Sequence, residues 1–274
     1  MTLFDAYRYE GKRAVVVGGA TGIGAATARL AQDAGAEVVV MDIAESTLAG
    51  ARTIHVNLAE AASIDAAVSE CGGPVDALFS CAGVADGTPG IEKINFIGHR
   101  HMIERMLGAG MLPRGSAIGF ISSAAGLGWE ANLGLLKEYL DTPGFDAAAA
   151  WVADHGRADY MWSKQAVCAY VARQAFPLLK RGIRINAICP GPTDTPLAQA
   201  NKETWLAFGA DYREEAGVEA SSPLEQAYPL VFLCSDAASA ISGAIFITDA
   251  GYMSSGLTES YPSATAIARF LCGR

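Results

Sequence analysis

A chain of 274 residues, 51% apolar and with a formal net charge of −9, is long enough to bury a core without covalent staples. The negative balance argues against a nucleic-acid or anionic-membrane surface and leaves small or apolar molecules as the expected partners. The six cysteines form no CxxC pair and several sit in apolar runs, so buried thiols in a reducing, cytoplasmic setting are expected, with neither disulfides nor a metal site. The first residues carry no basic-then-apolar signal, and no apolar run reaches membrane length.

Lys12 to Val17 is a β-branched strand candidate that leads into Gly18-Gly19-Ala20-Thr21-Gly22-Ile23-Gly24 and an Ala-rich helix to about Ala34. In this context Gly18 permits a tight turn, Gly22 lets the backbone approach a pyrophosphate, and Gly24 lets helix and strand pack closely. The free N–H groups of the helix start then face the phosphates. Glu37 to Met41 is a second strand, with Asp42 at its end. An acid about twenty residues past the glycines accepts from the ribose hydroxyls of NAD and repels the extra phosphate of NADP. No Lys or Arg stands at Thr21 or Ile43 to receive such a phosphate.

Further strands are expected at Thr53 to Leu58, Val75 to Ser80, Ala117 to Ser122, Arg184 to Ile188 and Ala244 to Thr248. Helices are expected at Ala61 to Cys71, Ile91 to Leu107, Asp159 to about Leu179, and Leu224 to Leu233. Alternating strands and helices predict an α/β, doubly wound parallel sheet, a Rossmann fold, in one domain. In the long helix, Tyr160 and Lys164 are four apart and share a face. An ammonium beside a phenol favours the phenolate, so the lysine is expected to draw the tyrosine toward the working pH for proton transfer.

The ordered markers Gly18-x3-Gly22-Ile23-Gly24, Asp42, Cys81-Ala82-Gly83, Asn95, Ser123, Tyr160-x3-Lys164 and Pro190-Gly191 resemble those of the short-chain dehydrogenase/reductases. The resemblance runs from Gly11 to Gly251. It implies Tyr160 as general acid/base and Lys164 as its partner and a holder of the nicotinamide ribose. It further implies Ser123, rather than Ser122, on the substrate oxygen, and Asn95 binding a water through its backbone carbonyl. Asn57 and Leu58 are expected at the adenine, with Pro190, Gly191, Thr193 and Thr195 at the carboxamide. The sequence departs from the family pattern at Val17, at Asn57 in place of an aspartate, and at Ser80-Cys81 in place of paired asparagines.

The fourth departure is length: 36 residues separate Ser123 from Tyr160, where the family commonly has about a dozen. In the insertion 127–158, Trp129, Leu133, Leu136 and Leu140 recur at helical spacing. A Pro143-Gly144 break and a second short helix carrying Phe145, Ala149, Val152 and Ala153 follow. Its length and the Phe145-Asp146 to His155 segment resemble the 3α-hydroxysteroid and coniferyl-alcohol dehydrogenase group. The expected activity is NAD-dependent interconversion of an apolar alcohol and its carbonyl. The alternatives are an aryl-allylic alcohol dehydrogenase, a 3-oxoacyl-type reductase and a non-catalytic NAD-binding scaffold. Leu127, Trp129, Trp151 and Trp205 are expected at the substrate, with Phe208 and Tyr212 in a covering segment. His99 and His101 are expected to be surface or packing residues. The insertion is expected to cover the helices bearing Asn95 and Tyr160, which would block one family interface and leave a homodimer. The tail 254–274, with Ile267, Phe270 and Leu271 at helical spacing, is expected to dock on a neighbouring subunit.

Overall fold

A computed structural model describes residues 2–274. The strands are β1 (Arg13–Val17), β2 (Glu37–Asp42), β3 (Arg52–His55), β4 (Ala77–Ser80), β5 (Ala117–Ile121), β6 (Arg184–Pro190) and β7 (Ile245–Thr248). They form one seven-stranded sheet in the order β3-β2-β1-β4-β5-β6-β7, and every pairing is parallel. The helices are α1 (Gly22–Asp33), α2 (Ala61–Cys71), α3 (Gly98–Gly108), α4 (Leu133–Leu140), α5 (Gly144–Asp154) and α6 (Tyr160–Lys180). They continue with α7 (Pro196–Ala200), α8 (Lys202–Trp205), α9 (Ala210–Ala216), α10 (Pro223–Cys234), α11 (Tyr252–Leu257) and α12 (Thr265–Leu271).

The central strands β1, β2, β4, β5 and β6 are buried on both faces, which is why they read as continuous apolar runs. Side chains alternate across β1: Val15 and Val17 enter a core with Phe96, Ile103, Ala166 and Tyr170. Ala14 and Val16 enter the opposite core with Ala28, Ala31, Leu230 and Leu233. The first core lies under α2, α3 and α6 and the second under α1 and α10, the two layers of a doubly wound fold.

Two details differ from expectation in a way that shapes the cleft. β3 stops at His55, so Asn57 and Leu58 leave the sheet as a loop. The helix expected from Ile91 begins there and widens into a π turn over Lys93–Ile97 before α3, an irregularity often found at functional sites. This turn carries Asn95.

The insertion forms the two expected helices, α4 and α5, and lies on the π turn, α3 and α6. Leu136, Tyr139, Leu140, Phe145, Ala148 and Val152 are buried there. Tyr139 packs against Phe96 at 5.5 Å between ring centres. Arg100 of α3 donates to the Thr142 carbonyl at 2.6 Å, and Arg173 of α6 pairs with Asp141. The tail packs on its own chain: α12 folds against α11 and the Ala124–Gly126 turn, burying Ala268 and Leu271. Phe270 points outward and is exposed.

Candidate active site

The strand order reverses direction between β1 and β4, and a crevice opens at the carboxyl ends of those strands. The turn after β1 meets the turn after β4 so closely that a Cβ on Gly18 would collide with Ala82. A Cβ on Gly24 would collide with the Gly18 carbonyl oxygen, so both positions exclude larger residues. Thr21 precedes α1 without capping it through its side chain. The first-turn N–H groups at Gly22, Ile23 and Gly24 are therefore free of a side-chain acceptor, beside a cavity of about 590 Å³ that these residues line.

Asp42 stands at the far end of this cavity. Its Oδ2 accepts from the Ala20 N–H at 2.9 Å and its Oδ1 from the Ala44 N–H at 3.0 Å. Each oxygen keeps a lone pair for a ligand hydroxyl. Ile43, Asn57 and Leu58 line the same end. The Asn57 amide oxygen accepts from the Ala59 N–H at 3.0 Å and its amide N–H donates to Glu60 at 2.8 Å. Cys81, Ala82 and Gly83 form the floor, and Pro190, Gly191, Thr193 and Thr195 close the other wall. The Thr193 hydroxyl donates to the Gly191 carbonyl at 3.0 Å. Thr195 caps α7 by accepting from the Ala198 N–H at 3.1 Å, which leaves its own O–H free to donate. This frame of glycine turn, open helix start and acid fits a nicotinamide dinucleotide.

α6 begins at Tyr160 because Asp159 caps it, accepting from the Trp162 N–H at 2.7 Å. Asp86 accepts from the Tyr160 N–H at 2.6 Å, a second anchor on the same helix start. Tyr160, Lys164 and Ser123 line the cavity together. The Lys164 ammonium donates to the Ile121 carbonyl at 3.0 Å and lies 5.5 Å from the centre of the Tyr160 ring. Burial pushes Lys164 down to about 8. Burial also pushes Tyr160 up to about 12, and the hydrogen bond with Ser123 works against that rise. The expected lowering of the tyrosine by the lysine is thus overridden by desolvation, and the relief comes from the serine.

The two serines after β5 separate clearly. Ser122 is buried and donates to the Lys164 carbonyl at 2.9 Å, whereas Ser123 lines the cavity with Tyr160, its Oγ accepting from the Ala125 N–H at 3.2 Å. Asn95 does not line the cavity. Its side chain accepts from the Val84 N–H at 2.7 Å and donates to the Val84 carbonyl at 3.1 Å and the Ser163 hydroxyl at 3.1 Å. It thereby ties the end of β4 to α6. His99 adds a second tie by donating Nε2–H to the Ala82 carbonyl at 3.0 Å. Burial lowers His99 to about 4, so it stays neutral. His101 pairs with Asp65 at 2.9 Å.

Of the expected substrate residues, Trp205 lines the cavity, with its ring centre 5.1 Å from that of Tyr160. Leu127, Trp129 and Trp151 do not line it. Trp151 lies in α5 and stacks on Tyr139, His155 and Trp162, at 5.0, 3.8 and 5.8 Å between ring centres. Trp162 is two residues past Tyr160 and so projects from the opposite side of α6. Leu127 is buried behind the wall, and Trp129 packs between two core clusters. Leu271, Phe208, Leu197 and Ala125 occupy the wall instead. Phe208 was signalled by its position after the Pro-Gly turn, and Leu271 only by the apolar spacing of the tail.

The profile described as "short chain dehydrogenase" matches residues 12–132, and that described as "Enoyl-(Acyl carrier protein) reductase" matches residues 145–253. The cis-4-hydroxycyclohexanecarboxylate dehydrogenase of Sinomonas cyclohexanicum is 34% identical, over 87% of this chain and 95% of its own. The 3-alpha-hydroxysteroid dehydrogenase/carbonyl reductase of Comamonas testosteroni is 31% identical, over 86% and 95%. The coniferyl-alcohol dehydrogenase of Pseudomonas sp. (strain HR199 / DSM 7063) is 29% identical, over 89% and 97%. The crystal structure of the 3-alpha-hydroxysteroid dehydrogenase from Pseudomonas sp. B-0831 complexed with NADH superposes with a TM-score of 0.72. It is 26% identical and covers 91% of this chain and 98% of that one. By these likenesses and by its fold, the chain belongs to the short-chain dehydrogenase/reductase family and is an oxidoreductase acting on CH–OH groups and their carbonyls.

Proposed function

We propose that the protein is an NAD-dependent dehydrogenase that interconverts an apolar, hydroxysteroid-like alcohol and its carbonyl. The observation that carries this reading is the meeting of Tyr160, Ser123 and Lys164 in one cavity whose far end holds Asp42 and the glycine turn. In oxidation Tyr160 takes the hydroxyl proton, and in reduction the same phenol returns it. Ser123 hydrogen-bonds the substrate oxygen and steadies the tyrosine. Lys164, anchored on Ile121, supplies positive charge beside the phenol and holds the nicotinamide ribose. Asn95 fixes the β4 end against α6, and its backbone carbonyl sits in the wide turn where a water can be held. NAD, when bound, supplies the hydride chemistry. Gly18, Thr21, Gly22, Ile23 and Gly24 hold its phosphates, and Asp42 holds its adenosine ribose.

Asp42 favours NAD over NADP, because a carboxylate facing a 2′-phosphate is a like-charge contact. The apolar wall formed by Trp205, Phe208 and Leu271 favours a bulky apolar alcohol. An aryl-allylic alcohol is the second reading, supported by the Trp205 ring beside Tyr160 and by the coniferyl-alcohol relative. The reading extends to assembly. With α4 and α5 covering α3 and α6, the exposed apolar surface of Leu224 and Tyr228 on α10 and Phe246 and Ile247 on the edge strand β7 supports a homodimer through that side. The free, mostly buried cysteines suit a reducing, cytoplasmic setting, and no helix among the described residues is long and apolar enough to cross a membrane. A screen of steroid, terpenoid and lignin-type alcohols with NAD, read at the nicotinamide absorbance, tests the reading. NADH formation with at least one apolar ring alcohol is expected, and its absence across the screen would count against it.

A further inference from the structure

The tail is built to reach the reaction site of its own chain. A Cβ on Gly256 of α11 would stand 2.7 Å from the Ala268 Cβ and 2.8 Å from the Ala264 carbonyl oxygen. A Cβ on Gly128, at the root of the insertion, would stand 2.8 Å from the Leu271 carbonyl oxygen. Both glycines let the tail backbone approach closer than any side chain allows. Arg269 pairs with Glu259 at 2.7 Å, and Tyr261 donates to Asp211 at 2.9 Å. Leu271 is thereby held in an apolar cluster with Ala124, Leu127 and Met253, and it lines the cavity together with Trp205 and Phe208.

The charge pattern of that cavity is equally specific. Among the described residues that line it, Asp42 and Lys164 are the only ones with ionised side chains, and Asp42 belongs to the glycine-turn end. The part between Tyr160 and Leu271 offers no further cation to a carboxylate or phosphate, and burying an unpaired charge there is costly.

We propose that Leu271 is a specificity-determining residue that sets the size of the substrate end, and that this end takes an uncharged, ring-bearing alcohol or ketone. The proposal rests on the dehydrogenase reading for its reaction but not for its binding geometry. Calorimetric titration of the NADH-loaded protein, which cannot oxidise an alcohol, with cyclohexanol, 4-hydroxycyclohexanecarboxylate and androsterone tests it. Cyclohexanol and androsterone should bind, with the carboxylate about tenfold weaker than cyclohexanol or worse. Leu271→Trp should lower the ratio of androsterone to cyclohexanol affinity about tenfold, the order expected for overfilling a packed wall. Leu271→Ala, which keeps the assignment testable if the tryptophan variant does not fold, should raise that ratio. In both variants NAD affinity should move by less than about twofold, since packing damage alone would shift every ligand together. Equal binding of the carboxylate and cyclohexanol overturns the uncharged class. An unmoved ratio in both variants, or a parallel loss of all ligands and NAD, overturns the role of Leu271, as does wild-type protein that binds no alcohol. If the alcohols bind in this pattern but yield no NADH, the wall assignment stands and the dehydrogenase reading fails.

Discussion

Lys164 is anchored to Ile121: its ammonium donates to the carbonyl that ends β5 at 3.0 Å. The lysine is thus placed by the sheet, on the same face of α6 as Tyr160, with 5.5 Å between its Nζ and the ring centre. Its charge is fixed in position, and the proton affinity of the phenol is set mainly by burial and by Ser123.

This arrangement fixes a pH dependence. Tyr160 is pushed up to about 12 by burial in the free protein, so its phenol stays protonated through the neutral range, as reduction requires. Oxidation needs the deprotonated form, so kcat/KM for alcohol oxidation should rise with pH across the alkaline range. The hydrogen bond from Ser123 lowers the tyrosine. Ser123→Ala should therefore shift the rising limb to higher pH. A limb that stays in place would separate the serine from the proton transfer.

The proposed cofactor choice rests on Asp42, which lines the cavity with both oxygens held by backbone partners. The specificity constant for NAD should exceed that for NADP on the order of 100-fold, since a like-charge contact costs several kcal/mol. Asp42→Ala should narrow the gap. A preference for NADP in the wild-type protein would remove Asp42 from this role.

Trp151 binds the insertion to the back of α6 through its stack on Tyr139 and Trp162. Trp151→Ala should lower stability by about 3 kcal/mol, as expected for a large aromatic removed from a packed site. KM for the alcohol should be unchanged, because the residue is absent from the cavity wall. Denaturant unfolding together with steady-state kinetics separates the two effects.

The proposed homodimer rests on the same insertion. With α3 and α6 covered by α4 and α5, light scattering at micromolar concentration should give the mass of two chains. Phe246→Asp on β7 should shift the protein toward monomer, since an unpaired charge in an apolar interface costs a few kcal/mol. A stable tetramer would show that the covered faces still associate.

Local spacing carried most of this architecture. The glycine turn, Asp42, and Tyr160 with Lys164 are fixed by residues a few positions apart or at strand ends, where backbone geometry decides the role. The two insertion helices were equally legible in their apolar repeat. The sequence expects Trp129 and Trp151 at the substrate and the cavity lining does not include them, because periodicity reports burial without saying which neighbour does the burying. The face of α6 that Trp151 meets is set by the crossing of α5, which no local pattern encodes. Leu271 was missed as a wall residue for a related reason. Its contact with Ala124 spans most of the chain and depends on close approaches at Gly128 and Gly256. The proton affinity of Tyr160 is not legible in a four-residue spacing, which shows the nearby charge but not the burial that raises the phenol.

The most direct measurement is the turnover of Tyr160→Phe with NAD and an alcohol that the wild-type protein oxidises. The substitution keeps the ring against Trp205 and removes only the hydroxyl. Cofactor affinity should stay near the wild-type value while kcat falls by about 10²- to 10⁴-fold, the range attributed to positioned acid–base groups. Near-normal kcat in a folded Tyr160→Phe protein would contradict the assignment of proton transfer to this residue.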